Sequence, residues 1–234
     1  MRFESPLIAG TLLKRYKRFL ADVRLDDGAI VTAHTPNTGS MRGCAEPGSR
    51  VWLRDSGNPA RKYPLSWELV QTAAGVMAGI NTGLANHLVR EGIENGVIRE
   101  LAGYDRIRPE VSYGVNSRID LLLQGGGRPG CYLEVKNVTL AEAGTAYFPD
   151  AVTTRGAKHL RELTAMVEAG HRAVIFFCVQ RGDAEEVRPA DAIDPAYGQA
   201  LRDALSRGVE ALAYRAIPSI MEIALSCPLP VLVS

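Results

Sequence analysis

The stretch from Ser117 to Val138 limits most sharply what this chain can become. It reads Ser-Arg-Ile-Asp-Leu-Leu-Leu, then Gln-Gly-Gly-Gly-Arg-Pro-Gly, then Cys-Tyr-Leu-Glu-Val-Lys-Asn-Val. Two apolar runs around a glycine-rich segment with one proline predict a β-hairpin with a longer loop. A hairpin symmetric about Gly127 sets Leu123 opposite Cys131 and Asp120 opposite Glu134. Residues opposite each other in an antiparallel pair share a face of the sheet. Alternation along the second strand adds Lys136 to that face. One extra residue in either strand would flip its faces and break the set.

Asp120 and Glu134 on one face repel each other. A divalent cation relieves the repulsion, since Mg²⁺ is commonly held by one or two carboxylates with waters and substrate phosphate. The lysine can then orient a water or stabilise charge on a phosphate. A solvated salt-bridge cluster is the other reading, because acid-x-base on a strand is common. The apposed Asp120 favours a site.

The 234 residues allow one large or two small domains. With 46% apolar and 23% charged residues, the chain belongs with ordinary soluble globular proteins. No apolar run approaches membrane-spanning length, and Met1 to Pro6 lacks the apolar core of a signal peptide. A cytoplasmic protein without a membrane partner is expected. Cys44, Cys131, Cys178 and Cys227 lie far apart without a Cys-x-x-Cys pair, which argues against zinc and against a disulfide framework. Residues 1–80 hold 11 Lys/Arg against 7 Asp/Glu, whereas residues 81–234 hold 16 against 19. A basic front half suits a polyanion, although surface charge is usually just solvated.

The front half reads as short strands at Leu7–Leu13, Arg18–Val23, Ala29–Ala33, Arg50–Leu53 and Ser66–Thr72, separated by turn signals such as Asp27-Gly28 and Pro47-Gly48. Five strands at this spacing fit a small barrel. Lys14, Arg15, Tyr16, Lys17, Arg18 and Phe19 interleave cations with aromatics inside the first pair. In an oligonucleotide-binding (OB) barrel such cations follow phosphates and such aromatics stack on bases. A charged surface strand with Phe19 in the core explains the pattern equally well. Arg54, Arg61 and Lys62 would extend the same basic surface. The loop His34 to Met41, with Asn37 and Ser40, offers N–H and hydroxyl donors to a phosphate. It also fits a turn held by its own Asn and Thr side chains, and that reading leads on physics alone.

Residues 73–83, rich in Ala and Gly, mark a domain junction. A helix is expected from Leu84 to about Leu101, weakened by Gly92 and Gly96, with Glu91 near its middle. A short strand at Val111–Val115 precedes the hairpin. After it come a helix over about 156–169, an apolar strand Ala173–Val179, a helix opened by Asp194-Pro195, and a strand Ala211–Ile217. The fully apolar strand after a helix indicates a parallel crossover. The apolar tail after Pro218 should pack against the body.

Helix, strand, strand, strand, helix, strand, with Asp120 then Glu134-Val-Lys136, resembles the PD-(D/E)XK nuclease core. His34-Thr-Pro-Asn-Thr-Gly-Ser-Met41, Ser117-Arg-Ile-Asp120, Leu133-Glu-Val-Lys-Asn-Val-Thr-Leu140 and the run from Phe148 to Leu160 make a closer match. Over nearly the whole chain they resemble the sugar fermentation stimulation protein A (SfsA) family. The resemblance implies an α/β, overall α+β, protein: an OB-like nucleic-acid-binding barrel over 1–80, then a PD-(D/E)XK restriction-endonuclease-like domain over 81–234. It implies DNA as partner and Mg²⁺ or Mn²⁺ as cofactor. Asp120 and Glu134 become metal ligands, Lys136 the residue beside the attacking water, and Glu91, with Glu100 as rival, a helix carboxylate. Val135 or Val138 would lend a backbone carbonyl to the metal. Arg118, Arg155, Lys158 and His159 join Lys14–Arg18, His34, Asn37 and Ser40 as nucleic-acid contacts, and His159 reads equally well as a partly buried helix residue. Two functions follow: a Mg²⁺-dependent nuclease, or a DNA-binding regulator of sugar catabolism that does not cut. A homodimer is left open.

Overall fold

The computed structural model describes residues 1–114 and 117–234. The end of the expected strand Val111–Val115 therefore lies outside the described residues. The front half folds as a barrel of β1 (Ile8–Tyr16), β2 (Leu20–Leu25), β3 (Ile30–His34), β4 (Arg50–Asp55) and β5 (Leu65–Gln71). The strands run in the order β3-β2-β1-β4-β5, and a parallel contact between His34 and Ser66 joins β3 to β5. Leu12, Val23, Val51, Leu53 and Trp67 fill the interior. Gly10 is required where β1 crosses β2: a Cβ there would lie 2.6 Å from Val23 Cγ1 and 2.7 Å from the Arg24 carbonyl.

The stretch read as a junction is partly a strand. β6 (Met77–Gly79) pairs with β5, and the Gly79 N–H donates to the Gln180 carbonyl of the second half at 2.9 Å. Small residues here permit close approach, since a Cβ on Gly79 would meet Gln180 Oε1 at 2.4 Å.

The second half is built on a sheet that also uses β7 (Arg106–Tyr113), β8 (Ser117–Gln124), β9 (Cys131–Val138), β12 (Arg172–Val179), β14 (Glu210–Pro218) and β15 (Ile223–Leu229). Its order is β15-β14-β12-β9-β8-β7, with β9, β12 and β14 parallel. From Ala173 onward strand β12 is apolar because both faces are covered. Val174, Phe176 and Cys178 pack with Leu88 and Val89 of α1 (Gly83–Glu94). Ile175, Phe177 and Val179 pack with Leu160 and Leu163 of α2 (Thr154–Glu168) and with Tyr197 and Leu201 of α3 (Pro195–Ser206). The expected helix to Leu101 stops at Glu94: Gly96 takes a φ of 71°, and only a short 3₁₀ turn at Arg99–Leu101 follows. A small sheet of β10 (Leu140–Glu142), β11 (Thr145–Phe148) and β13 (Glu186–Pro189) was not expected. The tail packs on the body as β15, antiparallel to β14.

Two helices start from one buried residue. Asp194 Oδ1 accepts from the Tyr197 N–H (2.9 Å), capping α3, while its Oδ2 accepts from the N–H of Thr153 (2.8 Å), the N-cap of α2. Asp194→Ala orphans two N–H groups and should cost about 2–4 kcal/mol in urea unfolding. Asp194→Asn, with one acceptor oxygen, should recover roughly half of the lost urea midpoint.

Candidate active site

The hairpin has the expected register. Leu123 pairs with Cys131, Leu122 with Tyr132 and Leu121 with Leu133. The ladder stops one step short of Asp120 and Glu134. On the other side, β7 pairs Pro109 with Leu121 and Val111 with Ile119, and Glu110, between them, takes a left-handed φ of 53°. Asp120 therefore sits where the ladder to β9 ends and opposite the one left-handed residue of β7.

Asp120 Oδ2 accepts from the Val135 N–H at 2.7 Å and Oδ1 from Asn86 Nδ2 at 2.8 Å. Burial, then the charge of Glu134, pushes the Asp120 carboxyl up to about 6 against the pull of these donors. Glu134 is only 3% exposed. Burial pushes it up as well, but His159 and Lys136 outweigh burial and hold it below the usual carboxylate range. Lys136 Nζ donates to Glu134 Oε1 at 2.6 Å. His159, from α2, meets the same oxygen through Nδ1, and Arg155 Nε donates to His159 Nε2 at 3.2 Å. With Nε2 accepting, the ring carries its proton on Nδ1 and donates it to Glu134. Both partners converge on Oε1, so the buried Oε2 has no hydrogen-bond partner among the described residues. An orphaned, ionised oxygen beside a second carboxylate fits a hard cation. Asp120 and Glu134 are the residues that would hold it, although the described residues contain no group of three His, Cys, Asp or Glu placed to bind a metal.

Asp120 lies where two clefts meet. One, of about 290 Å³, runs between the barrel loop at Asn37–Gly39 and the end of β9 at Lys136–Val138, with Asn86 and Asp150 on its walls. The other, of about 460 Å³, is lined by Arg118, Arg155, Lys158 and His159 with Glu110. The four residues expected there do come together, and His159 is a buried partner of Glu134 rather than a surface group. Lys158 pairs with Glu162 at 3.6 Å.

Glu91 is not at the site. Its Oε2 binds the Met1 ammonium at 2.6 Å. The helix residue that reaches Asp120 is Asn86; Glu91, five residues on, is rotated about 140° around α1. Glu100 accepts instead from the Tyr214 hydroxyl at 2.7 Å. Val135 contributes its N–H to Asp120, as above. The sequence had marked Asn86 with nothing but its position on the helix.

The barrel residues divide differently from expectation. Arg15 binds the carbonyls of Arg18 (2.6 Å), Asn37 and Gly39 (both 2.9 Å), and so fixes the loop rather than tracking a strand. Asn37 is buried, donating to the Ile80 carbonyl and accepting from the Gly39 N–H, the self-held turn that physics favoured. Ser40 Oγ and the Met41 N–H both donate to Asp150 across the domain seam. Tyr16 donates its hydroxyl to Asp22, which also binds Lys14. Lys17 and Arg18 turn the hairpin with left-handed backbones, and Phe19 beside them is 44% exposed, outside the core. His34 sits in the barrel wall, where burial and then Arg61 lower its pKa. None of Lys14, Tyr16, Lys17, Arg18 or His34 lines the two clefts at Asp120 among the described residues.

A family model described as the sugar fermentation stimulation protein RE domain matches residues 83–220, and one described as the SfsA N-terminal OB domain matches residues 13–80. The chain belongs to the sugar fermentation stimulation protein family. A homolog of that name from Geobacter sulfurreducens is 66% identical over 232 residues, 99% of each chain. One from Pelobacter propionicus is 67% identical over 228 residues, covering 97% of this chain and 98% of its own. Among solved structures, Pyrococcus furiosus SfsA in complex with Ca²⁺ superposes with a TM-score of 0.89 at 29% identity, over 99% of this chain and 98% of the other. The OB-type barrel followed by a mixed α/β domain is therefore the family's architecture. Among the described residues, no helix of this family member is long and apolar enough to cross a membrane.

Asp120 has a higher pKa folded than its ordinary 3.8, so the native state binds the extra proton. Its destabilising effect is absent below about pH 4, grows to about pH 6 and is complete above that. Asp120→Asn should therefore raise the melting stability of protein in EDTA at pH 7.5 by roughly 1–3 kcal/mol. The gain should vanish at pH 4 in the same melts.

Proposed function

We propose that the chain is a divalent-cation-dependent phosphodiesterase acting on nucleic acid. The observation that carries the reading is the buried Glu134 Oε2, without a partner among the described residues, beside Asp120 at the meeting point of two clefts. The Ca²⁺ complex of the P. furiosus relative supports a divalent cation as the occupant. Mg²⁺ or Mn²⁺ bound by Asp120 and Glu134 would supply Lewis-acid polarisation of a phosphoryl oxygen and a lowered water pKa. The chain's own residues supply the rest. Lys136 and His159 keep Glu134 ionised and fixed. Asn86 and the Val135 N–H aim Asp120. Arg118, Arg155 and Lys158 offer cationic contacts for phosphates leading to the site. Lys136 also remains near enough to the carboxylates to stabilise charge developing on phosphorus.

A DNA-binding regulator that does not cut is the second reading. It is favoured by one observation: α1 brings the amide of Asn86 to Asp120 where a third carboxylate would strengthen metal binding.

Labelled single-stranded, duplex and branched DNA, incubated with Mg²⁺, Mn²⁺ or EDTA, separates the two. Under the nuclease reading the wild type cuts only with metal, and Asp120→Asn or Glu134→Gln lowers the rate at least about a hundredfold while binding persists. Mg²⁺ should also raise the melting temperature of the wild type and not of Glu134→Gln. Binding without cutting in every arm, unchanged in both variants, leaves the regulator.

A further inference from the structure

The two clefts that meet at Asp120 have opposite chemistry. The α2 side presents Arg118, Arg155 and Lys158 against Glu110. The barrel side has one cation, Lys136, at its Asp120 end, and a second carboxylate, Asp150, on its wall. A phosphate is drawn to the first more strongly than to the second. The barrel-side cleft therefore suits a neutral, hydrogen-bonding group attached to the phosphate at Asp120.

Its walls are set in place before anything binds. Arg15 fixes the carbonyls of Asn37 and Gly39, and Thr82 Oγ1 donates to the Pro36 carbonyl at 2.9 Å. Asp150 Oδ2 takes Ser40 Oγ at 3.2 Å and the Met41 N–H at 2.9 Å, so the loop cannot swing away without breaking a contact across the seam. Hydrogen bonds also orient the cleft's amides. Gln180 Nε2 donates to Asn137 Oδ1 at 2.5 Å, which leaves the Asn137 NH₂ as a donor. Asn86 Nδ2 is given to Asp120, which leaves Asn86 Oδ1 as an acceptor. Tyr147 and Phe148 of β11 add aromatic surface. A volume of about 290 Å³ is small for a ligand pocket.

We propose that the barrel-side cleft receives the base of one unpaired nucleotide whose phosphate lies at Asp120, so that the substrate is a single strand or a flap rather than an intact duplex. This deepens the nuclease reading and rests on nucleic acid being the substrate. A base in a duplex cannot enter the cleft without leaving its stack and its partner. Mixed donors and acceptors beside aromatic rings are the chemistry that receives one that has.

The test reads binding, not cutting. Fluorescence anisotropy in EDTA compares a labelled oligodeoxynucleotide of roughly 12 residues, an abasic chain of equal length, a blunt duplex and a mononucleotide. Thr38 is exposed on the cleft, so Thr38→Trp narrows it without touching the core. The expected result is tighter binding of the base-bearing strand than of the duplex. Thr38→Trp should weaken that strand about tenfold, as loss of one stacked base does, and leave the abasic chain and the duplex unchanged. Tyr147→Ala, melted alongside as a folding control, should weaken the same strand. The proposal is overturned if Thr38→Trp binds the strand like wild type, if the duplex binds as tightly as the strand, or if the mononucleotide matches the strand. Strand binding as expected with no cutting under any metal rejects the nuclease reading alone. Cutting of duplex that Thr38→Trp does not slow rejects the cleft proposal alone.

Discussion

A carboxylate on a central strand of a covered sheet must find charge or hydrogen bonds inside the protein. Glu134 sets this requirement, and much of the second half answers it. Lys136 comes from the same strand two residues on, where alternation returns it to the same face. His159 comes from α2, which the parallel crossover between β9 and β12 lays over that face. The start of α2 is in turn tied to α3 through Asp194. Remove the crossover and Glu134 has a lysine but no imidazole. The fold is thus the means of keeping one buried acid ionised.

Asp120 is treated in the opposite way. It lies beside the ionised Glu134, and its donors are an amide and one backbone N–H, not a cation in direct contact. Of two neighbouring carboxyls, one is stabilised as an anion and the other retains its proton to higher pH. That asymmetry is what two acids sharing a site impose on each other. It also identifies Asp120 as the member whose charge is expensive to keep without a cation nearby.

The hairpin was legible because its loop is centred on glycine: Gly125, Gly126 and Gly127 all adopt positive φ, so the register followed from symmetry alone. The apolar strand β12 and the Asp194 cap were legible for equally local reasons. The helix contribution was not. A sequence shows that Asn86 and Glu91 share a helix but not how that helix is rotated over its sheet, and chemistry alone favours the carboxylate. Arg15 misled in the same manner. A cation among cations looks like a phosphate ligand, and nothing local reveals the carbonyls of Asn37 and Gly39 arriving from a loop more than twenty residues away. Strands β10, β11 and β13 are short and mixed in polarity, so no periodicity announced them.

Arg15 also changes what the barrel does for the rest of the molecule. An arginine that gives its donors to the carbonyls of Asn37 and Gly39 keeps its charge but has fewer donors left for a phosphate than its sequence position suggests. It makes a rigid loop, and that loop meets Asp150 and walls the cleft at Asp120. The barrel therefore acts on the site through shape. The cationic field around Asp120 comes instead from Arg118 on β8 and from Arg155 and Lys158 on α2. Cationic charge on one side and a preformed, hydrogen-bonding wall on the other give the site a direction, which neither domain would possess alone.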